Sequence, residues 1–307
     1  MPPSLPEHLV YPLEQFGDSF RARCDEGMAR LRTSKVAVVG LARNCAVRLA
    51  ENLGQLEHVT NMAREWCLHI ESNDCTDATL NVLQDFCTQH RQATFHYQVL
   101  GRRHYGAEFA GPRTIALAEY RHNCQRWVKA CASDADYVIV IDWDQWGGWS
   151  LAGMLNGLGW MVEMPGAYGM ASVSLLETQV TVQEQGKQPR PGTHWVHYDC
   201  WALRGVGQPS CYWDDYTAGL GGWKHHFLPP VGSQPVLVAS AFGGVAIYRT
   251  DAYLKGTYDG TSDCEHVPFH QSIARATGQH LYLCPGMRCV MQWVPEGQHN
   301  ARQHGDD

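Results

Sequence analysis

The sequence predicts an α/β protein with a mixed, mainly parallel central sheet flanked by helices. Three observations carry this reading. Tyr137 to Ile141 is a continuous apolar run, β-branched from Val138 onward, which suits a strand buried on both faces. Lys35-Val-Ala-Val-Val-Gly40 is a second run of that kind, followed by a short loop and a helical stretch from about Cys45 to Leu56. Strand, loop and helix then recur, which is the rhythm of βαβ units.

The elements follow in order. Residues 1–17 are rich in Pro and read as an irregular arm, and Ser19 to Thr33 reads as a helix ahead of the sheet. After the first strand, Leu41-Ala42-Arg43-Asn44 has none of the glycine spacing of a dinucleotide fingerprint. It offers Arg43 and Asn44 to a phosphate or base instead, although Arg43 also reads as an ordinary loop cation. Trp66 to Ile70 is the second strand, ending in Glu71 and a polar turn in which Thr76 or Asp77 caps a helix over about Leu80 to Gln89. Glu71 lies where an acceptor reads a base edge or ribose. Ala93 to Leu100 is the third strand. A long helix begins at Pro112 and carries Arg113, Arg121 and Asn123. Arginine at a helix start combines its charge with free backbone N–H groups.

The Tyr137–Ile141 strand ends in Asp142-Trp143-Asp144. Two carboxylates at i and i+2 beyond a buried strand are costly without a positive partner. In open α/β sheets, ligands bind at that end of the strands. A divalent metal held by oxygen ligands satisfies both facts; taken alone, the pair also reads as two solvated aspartates in a turn. Further on, a short helix over Leu151–Gly157 and a strand over Met170–Leu176 are expected. Residues 183–192 form a polar excursion, and the 193–204 stretch is dense in aromatic and ionisable groups. Residues 205–230 have no clear period. Pro235 to Arg249 reads as strand, Gly243-Gly244 kink, strand, and the two glycines permit close backbone approach to a ligand. A helix then opens around Glu265 and runs to about Ala276, and His280 to Cys284 is a short closing strand.

Composition bounds the function. The chain has 307 residues, a net charge of −7 and a pI near 6.1, so no basic surface for nucleic acid is implied. No apolar run is long enough to span a membrane, and the first residues have no secretory pattern. The twelve cysteines include no C-x-x-C pair; those beside apolar stretches, such as Cys67, Cys75, Cys87, Cys131 and Cys289, read as buried free thiols of a reducing compartment. A cytoplasmic enzyme is therefore expected. Eleven Trp and thirteen Tyr suit sugar stacking as well as core packing.

Four stretches in this order resemble the GT-A fold glycosyltransferases over about residues 35–294. They are Glu71 to Thr79, Arg113 to Asn123, the D-x-D motif Asp142-Trp-Asp144, and Phe242 to Arg249 with Cys264 to His270. The last looks nearest to a branch with capsule-type and viral sugar transferases. The resemblance implies a Rossmann-like catalytic domain over 35–294, preceded by an arm and helix over 1–34 and followed by a flexible tail over 295–307. Residues 35–144 would bind the nucleotide and 145–294 the acceptor. It further implies metal-dependent transfer of a sugar from a UDP- or GDP-linked nucleotide-diphosphate-sugar to a glycan, glycolipid or protein acceptor, with Mn²⁺ or Mg²⁺.

The residue roles that follow are expectations. Ala42, Arg43, Asn44, Glu71, Arg113, Arg121, Asp142, Trp143, Gly243 and Gly244 would bind the donor. Asp142 and Asp144 would hold the metal, with His266 or His270, which share a helix face at i and i+4. Each histidine taken alone also reads as structural. Glu265 is the first candidate for catalytic base and His266 the second; the inverting relatives carry Glu-Asp where this chain has Glu265-His266. Tyr198, Asp199, Trp201 and Arg204 would grip sugar, unless Asp199 and Arg204 simply pair with each other. Trp143, Trp146 and Trp213 are further stacking walls. The competing readings are a catalytically silent sugar- or nucleotide-binding module, which would have no need of the carboxylates, and a nucleotidyltransferase, which would need a richer glycine loop after the first strand.

Overall fold

The computed structural model describes residues 5–105, 111–183, 188–208 and 210–295. Apart from Pro295, the tail expected to be flexible lies outside these residues, as do parts of the loops at 101–111 and 183–192.

The arm holds a short helix α1 (Glu7–Val10), and α2 (Gly17–Thr33) leads into β1 (Lys35–Ala42). Three units then alternate: α3 (Ala46–Thr60), β2 (Glu65–Asn73), α4 (Thr79–Gln89), β3 (Ala93–Gln98), α5 (Pro112–Cys131) and β4 (Tyr137–Asp142). These four strands are mutually parallel in the order β3-β2-β1-β4. The middle of β1 and all of β4 up to Ile141 are buried, because helices cover both faces. The Asp77 carboxylate accepts the Thr79 amide at 2.9 Å and the Ala46 amide at 3.0 Å, so it caps two helices at once.

The second half completes the sheet. It comprises β5 (Gly148–Trp149), α6 (Leu151–Glu163), β6 (Ala167–Val182), β7 (Arg190–His197), β8 (Arg204–Gly205), α7 (Tyr212–Thr217), β9 (Val236–Ser240), β10 (Val245–Arg249), α8 (Thr250–Tyr253), α9 (His266–Thr277) and β11 (His280–Gln292). From β4 the order continues β10-β6-β11-β9-β8. β10 runs antiparallel to both β4 and β6, and β6 and β11 are parallel. β6 and β11 both outrun their expected lengths. The outer half of β6 is a polar ribbon paired with β7, and β11 bulges between Cys284 and Arg288 before resuming its ladder. Residues 205–230, expected to lack regular structure, contain α7 and a 3₁₀ turn over Trp223–His226.

Among the described residues, no helix is long and apolar enough to cross a membrane. All twelve cysteines are free; of those expected to be buried, Cys289 is buried, Cys67, Cys75 and Cys87 are half-buried, and Cys131 is exposed. Helices α2 and α6 meet backbone to backbone: a Cβ on Gly27 would collide with the Leu155 carbonyl, and one on Gly159 with the Arg23 carbonyl. Gly27→Ala should therefore destabilise the fold by about 1–3 kcal/mol, the usual range for overpacking. Urea denaturation would show the midpoint falling; an unchanged midpoint would mean that the helices separate without cost.

Candidate active site

The carboxyl end of β4 organises the site. Asn52, buried on α3, donates its amide to the carbonyls of Trp143 (2.9 Å) and Gln145 (3.0 Å). Buried Gln145 donates to the carbonyls of Asp142 and Gly244, both at 2.9 Å. The Asp142 amide also donates to the Gly244 carbonyl at 2.9 Å. The turn carrying both aspartates is thus pinned from α3 and from the Gly243-Gly244 hinge. Gly243 and Gly244 adopt φ of +71° and +90°, and a Cβ on Gly243 would run into the Ser172 carbonyl. Glycine is required there by conformation and by space alike.

Two cavities meet over this turn. One, of about 540 Å³, is walled by Tyr198, Asp199, Trp201, Phe242, Glu265 and His266 among others. The other, of about 330 Å³, is walled by Ala42, Arg43, Glu71, Asn73, Tyr105 and Tyr120 among others. They share Arg113, Leu117, Arg121, Asp142, Asp144 and Tyr198. The result is a two-lobed cleft with the aspartates at its waist.

Its electrostatics are organised around Arg121. The buried guanidinium donates Nε to Glu265 Oε1 at 2.9 Å and Nη2 to Asp142 Oδ1 at 3.1 Å, and lies 4.9 Å from the centre of the Phe242 ring. Burial disfavours its charge, but the two carboxylates outweigh that and hold it firmly protonated. Burial pushes Asp142 up to about 7 against the pull of Arg121, and the neighbouring Asp144 adds to the rise. Asp144 is raised as well by the desolvating walls of the cleft, although the residue itself is exposed to that cleft. Asp142 keeps 29% of its side chain exposed, which leaves a face open to the cleft.

In the smaller lobe, Glu71 accepts from His69 (3.0 Å), His96 (3.1 Å) and Asn123 (3.1 Å). Burial raises its pKa, and these hydrogen bonds more than offset it, leaving Glu71 below the usual carboxylate range. The lobe's outer wall is shaped from two sides. Asp74 accepts the amides of Leu100, Gly101 and Arg102 at 2.7–3.1 Å, while Arg43 donates to the carbonyls of Arg102 and Arg103. In the larger lobe, Asp199 accepts the amides of Gly243 (2.9 Å) and Ala202 (3.1 Å). Arg113 lies 5.2 Å from the Trp201 ring centre. Burial raises Asp199, while Tyr198, 46% exposed, lines both lobes.

The cleft therefore gathers Ala42, Arg43, Glu71, Arg113, Arg121, Asp142, Asp144, Tyr198, Asp199, Trp201, Gly244, Glu265 and His266 from the residues the sequence singled out. Others lie elsewhere. Trp143 is fully buried, edge-on to Trp149 in the core, because side-chain-free Gly40 leaves room for its indole. Asn44 turns away to accept the Thr76 amide at 2.7 Å. Gly243 gives its amide to Asp199. Arg204 pairs with Asp263 at 2.7 Å rather than with Asp199. His270 sits behind His266, with Nδ1 on Ser240 and Nε2 on Tyr248, both at 2.9 Å. Both of its ring nitrogens are engaged, and burial drives its pKa to about 3, so it is a core residue rather than a metal ligand. His266 stacks on Phe242 at 4.1 Å; burial, then Arg121 and His270, keep it neutral.

Sequence reasoning did not single out Asn52, Gln145 and Asp74 as site-shaping residues. The signal for Asn52 was its lone amide on the apolar face of α3. Asp74 showed none locally, since the three amides it gathers lie on another loop.

No family model matches the chain, and no curated protein matches its sequence. Solved structures similar to it include a mannosyltransferase from Pyrobaculum calidifontis in complex with GDP-mannose and Mn²⁺ (13% identity over 92% of this chain and 68% of that one, TM-score 0.47). TarS of S. aureus with UDP-GlcNAc is similar at 11% identity over 88% of this chain and 62% of that one, TM-score 0.46. Mannosyl-3-phosphoglycerate synthase from Rubrobacter xylanophilus is similar at 11% over 93% and 73%, TM-score 0.44. At such identities and scores the likeness carries no assignment of activity, and the reading of the cleft rests on its own chemistry.

Proposed function

We propose that the protein is a nucleotide-sugar-dependent glycosyltransferase. The observation that carries this reading is the pair Asp142 and Asp144 at the waist of a two-lobed cleft, on the carboxyl edge of the sheet. A nucleotide-sugar is itself two-lobed, with a nucleoside and a sugar joined through a diphosphate. The smaller lobe, with Glu71 and Asn73, suits the nucleoside; the larger lobe suits the transferred sugar and the acceptor.

The donor set suits a divalent ion that arrives with the diphosphate. Among the described residues, no group of three or more His, Cys, Asp or Glu side chains forms a self-sufficient metal cage. Two carboxylates, with phosphate oxygens and water completing the shell, are how Mg²⁺ or Mn²⁺ is held at nucleotide sites. The two raised, mutually repelling carboxylates would be relieved by such a charge. Asp144 and the open face of Asp142 would hold the ion, and when bound it would stabilise the negative charge that builds on the leaving diphosphate. Arg113 and Arg121 add positive charge at the same waist. Glu265, buried in the wall of the larger lobe, is the candidate to take the proton of the attacking acceptor hydroxyl. His266, neutral and beside it, is the alternative.

The test is a thermal-shift screen of UDP-, GDP-, CMP- and dTDP-sugars with and without Mn²⁺, followed by measurement of release of the corresponding nucleotide (a nucleoside diphosphate, or CMP from a CMP-sugar). One nucleotide class should stabilise the protein only when Mn²⁺ is present. A shift indifferent to metal, or none with any donor, would sink this reading; stabilisation without any turnover would favour a silent binding module.

A further inference from the structure

The segment after β8 builds an element that the transfer reaction itself does not require. Asp215 and Lys224 form a salt bridge at 2.8 Å with side-chain exposures of 4% and 1%. The same carboxylate accepts from Ser210 Oγ at 2.6 Å and from Trp223 Nε1 at 3.0 Å, and Lys224 also donates to the Ser210 carbonyl at 2.7 Å. A buried ion pair is poor value as a stabiliser, and its attested use is to fix one conformation. Here it cross-ties both ends of a stretch with little regular structure. α7 is further held by Cys211 and Asp214 in a capping box.

What this brace holds out to solvent includes four large apolar side chains, beside the exposed Asp214, Thr217 and His226. Trp213, Tyr216, Leu220 and Trp223 are 47%, 59%, 63% and 40% exposed. Trp213 and Tyr216 stand at i and i+3 on α7, on one face. Trp213 also lines the larger lobe of the cleft, which joins this end of the braced element to the cavity wall. Exposed aromatic groups held rigidly in this way indicate a binding surface, with the ordering cost already met in the free protein.

We propose that this braced element is a binding platform for an oligosaccharide acceptor. Its rings would carry sugar units beyond the one that receives the transferred residue. The inference rests on the glycosyltransferase reading and extends it to the class of acceptor. The chemistry favours a neutral sugar chain. Flat aromatic faces match the apolar C–H faces of pyranose rings, and the adjoining cavity supplies Asp199 and Glu265 for hydroxyl groups. An anionic membrane surface is disfavoured. Lys224 is the one Lys or Arg between Val206 and Phe227, it is buried against Asp215, and peripheral helices need exposed basic residues.

The test compares the full chain with a Tyr216→Ser/Leu220→Ser double variant, whose positions are exposed enough to leave stability nearly unchanged. Both labelled proteins are applied to an array of defined glycans and to phosphatidylcholine and phosphatidylglycerol vesicles. Wild type should bind glycans of three or more sugars, the variant at least about fivefold less, and neither should bind vesicles. Glycan binding that is absent, or equal in the two proteins, overturns the proposal, as does vesicle binding abolished in the variant. Donor-dependent nucleoside diphosphate release, measured on both proteins, separates the two claims. Its absence in wild type with glycan binding intact defeats the transferase reading, whereas normal release with no platform effect defeats the platform alone.

Discussion

Asp144→Asn is expected to lower donor-dependent nucleoside diphosphate release by about 10²–10³-fold, the range for removing one preorganised electrostatic contact to a developing charge. Asparagine keeps the shape of the side chain and removes its charge. Asp144 is exposed to the cleft and lines both lobes. Folding stability without ligand should therefore change by less than about 0.5 kcal/mol, while the Mn²⁺-dependent thermal shift with donor disappears. Asp142→Asn should behave differently, because Asp142 also anchors Arg121. It should lose activity and weaken the hold on Arg121, yet stability should not fall, because burial already penalises the Asp142 charge near pH 7 and asparagine removes that cost. Melting curves with and without Mn²⁺ and donor, run on both variants, check the contrast. Full activity in Asp144→Asn would remove the metal-bridged diphosphate from the mechanism.

Local pattern foretold the left half of the sheet well. Val36 to Val39 and Val138 to Ile141 are apolar without interruption because both faces of β1 and β4 are covered, and the polar break after Ile141 marked the site. The right half was less legible, for a physical reason: it is assembled by pairings between distant segments. Nothing in Val245 to Arg249 announces that it slots antiparallel between β4 and β6. The outer half of β6, rich in Glu, Thr and Gln, lies beyond the expected strand because its stabilising partner is β7 rather than the core. The same limit applied to side chains. Arg204 was five residues from Asp199, yet it pairs with Asp263, 59 residues away. Trp143 lay inside the D-x-D motif, yet alternation along the chain turns it into the core beside Gly40. His266 and His270 share a helix face, but that face points from the cleft wall inward, so only the first reaches the cavity.

The second large effect is expected at Arg121. Its guanidinium serves Glu265 and Asp142 at once, and Glu265 is almost entirely buried. Arg121→Met should leave that carboxylate without its cation in a low-dielectric site. Breaking one side of a buried pair costs about 3–5 kcal/mol, which for a chain of this size is a fall in melting temperature of roughly 10 °C. Arg121→Lys should recover only part of this, because one ammonium lacks the fork that reaches both carboxylates. Adding Glu265→Gln to Arg121→Met removes the stranded charge and should restore stability by at least about 1 kcal/mol relative to the sum of the single variants, a coupling that only interacting neighbours show. Transfer activity should stay lost in the double variant, since Asp142 would have lost its anchor and the larger lobe its candidate base. Urea denaturation of the four proteins in this cycle measures the coupling directly. Strict additivity would mean that Arg121 and Glu265 do not share the charge balance that their 2.9 Å contact indicates, and the cleft's electrostatics would then have to be rebuilt around Asp142 alone.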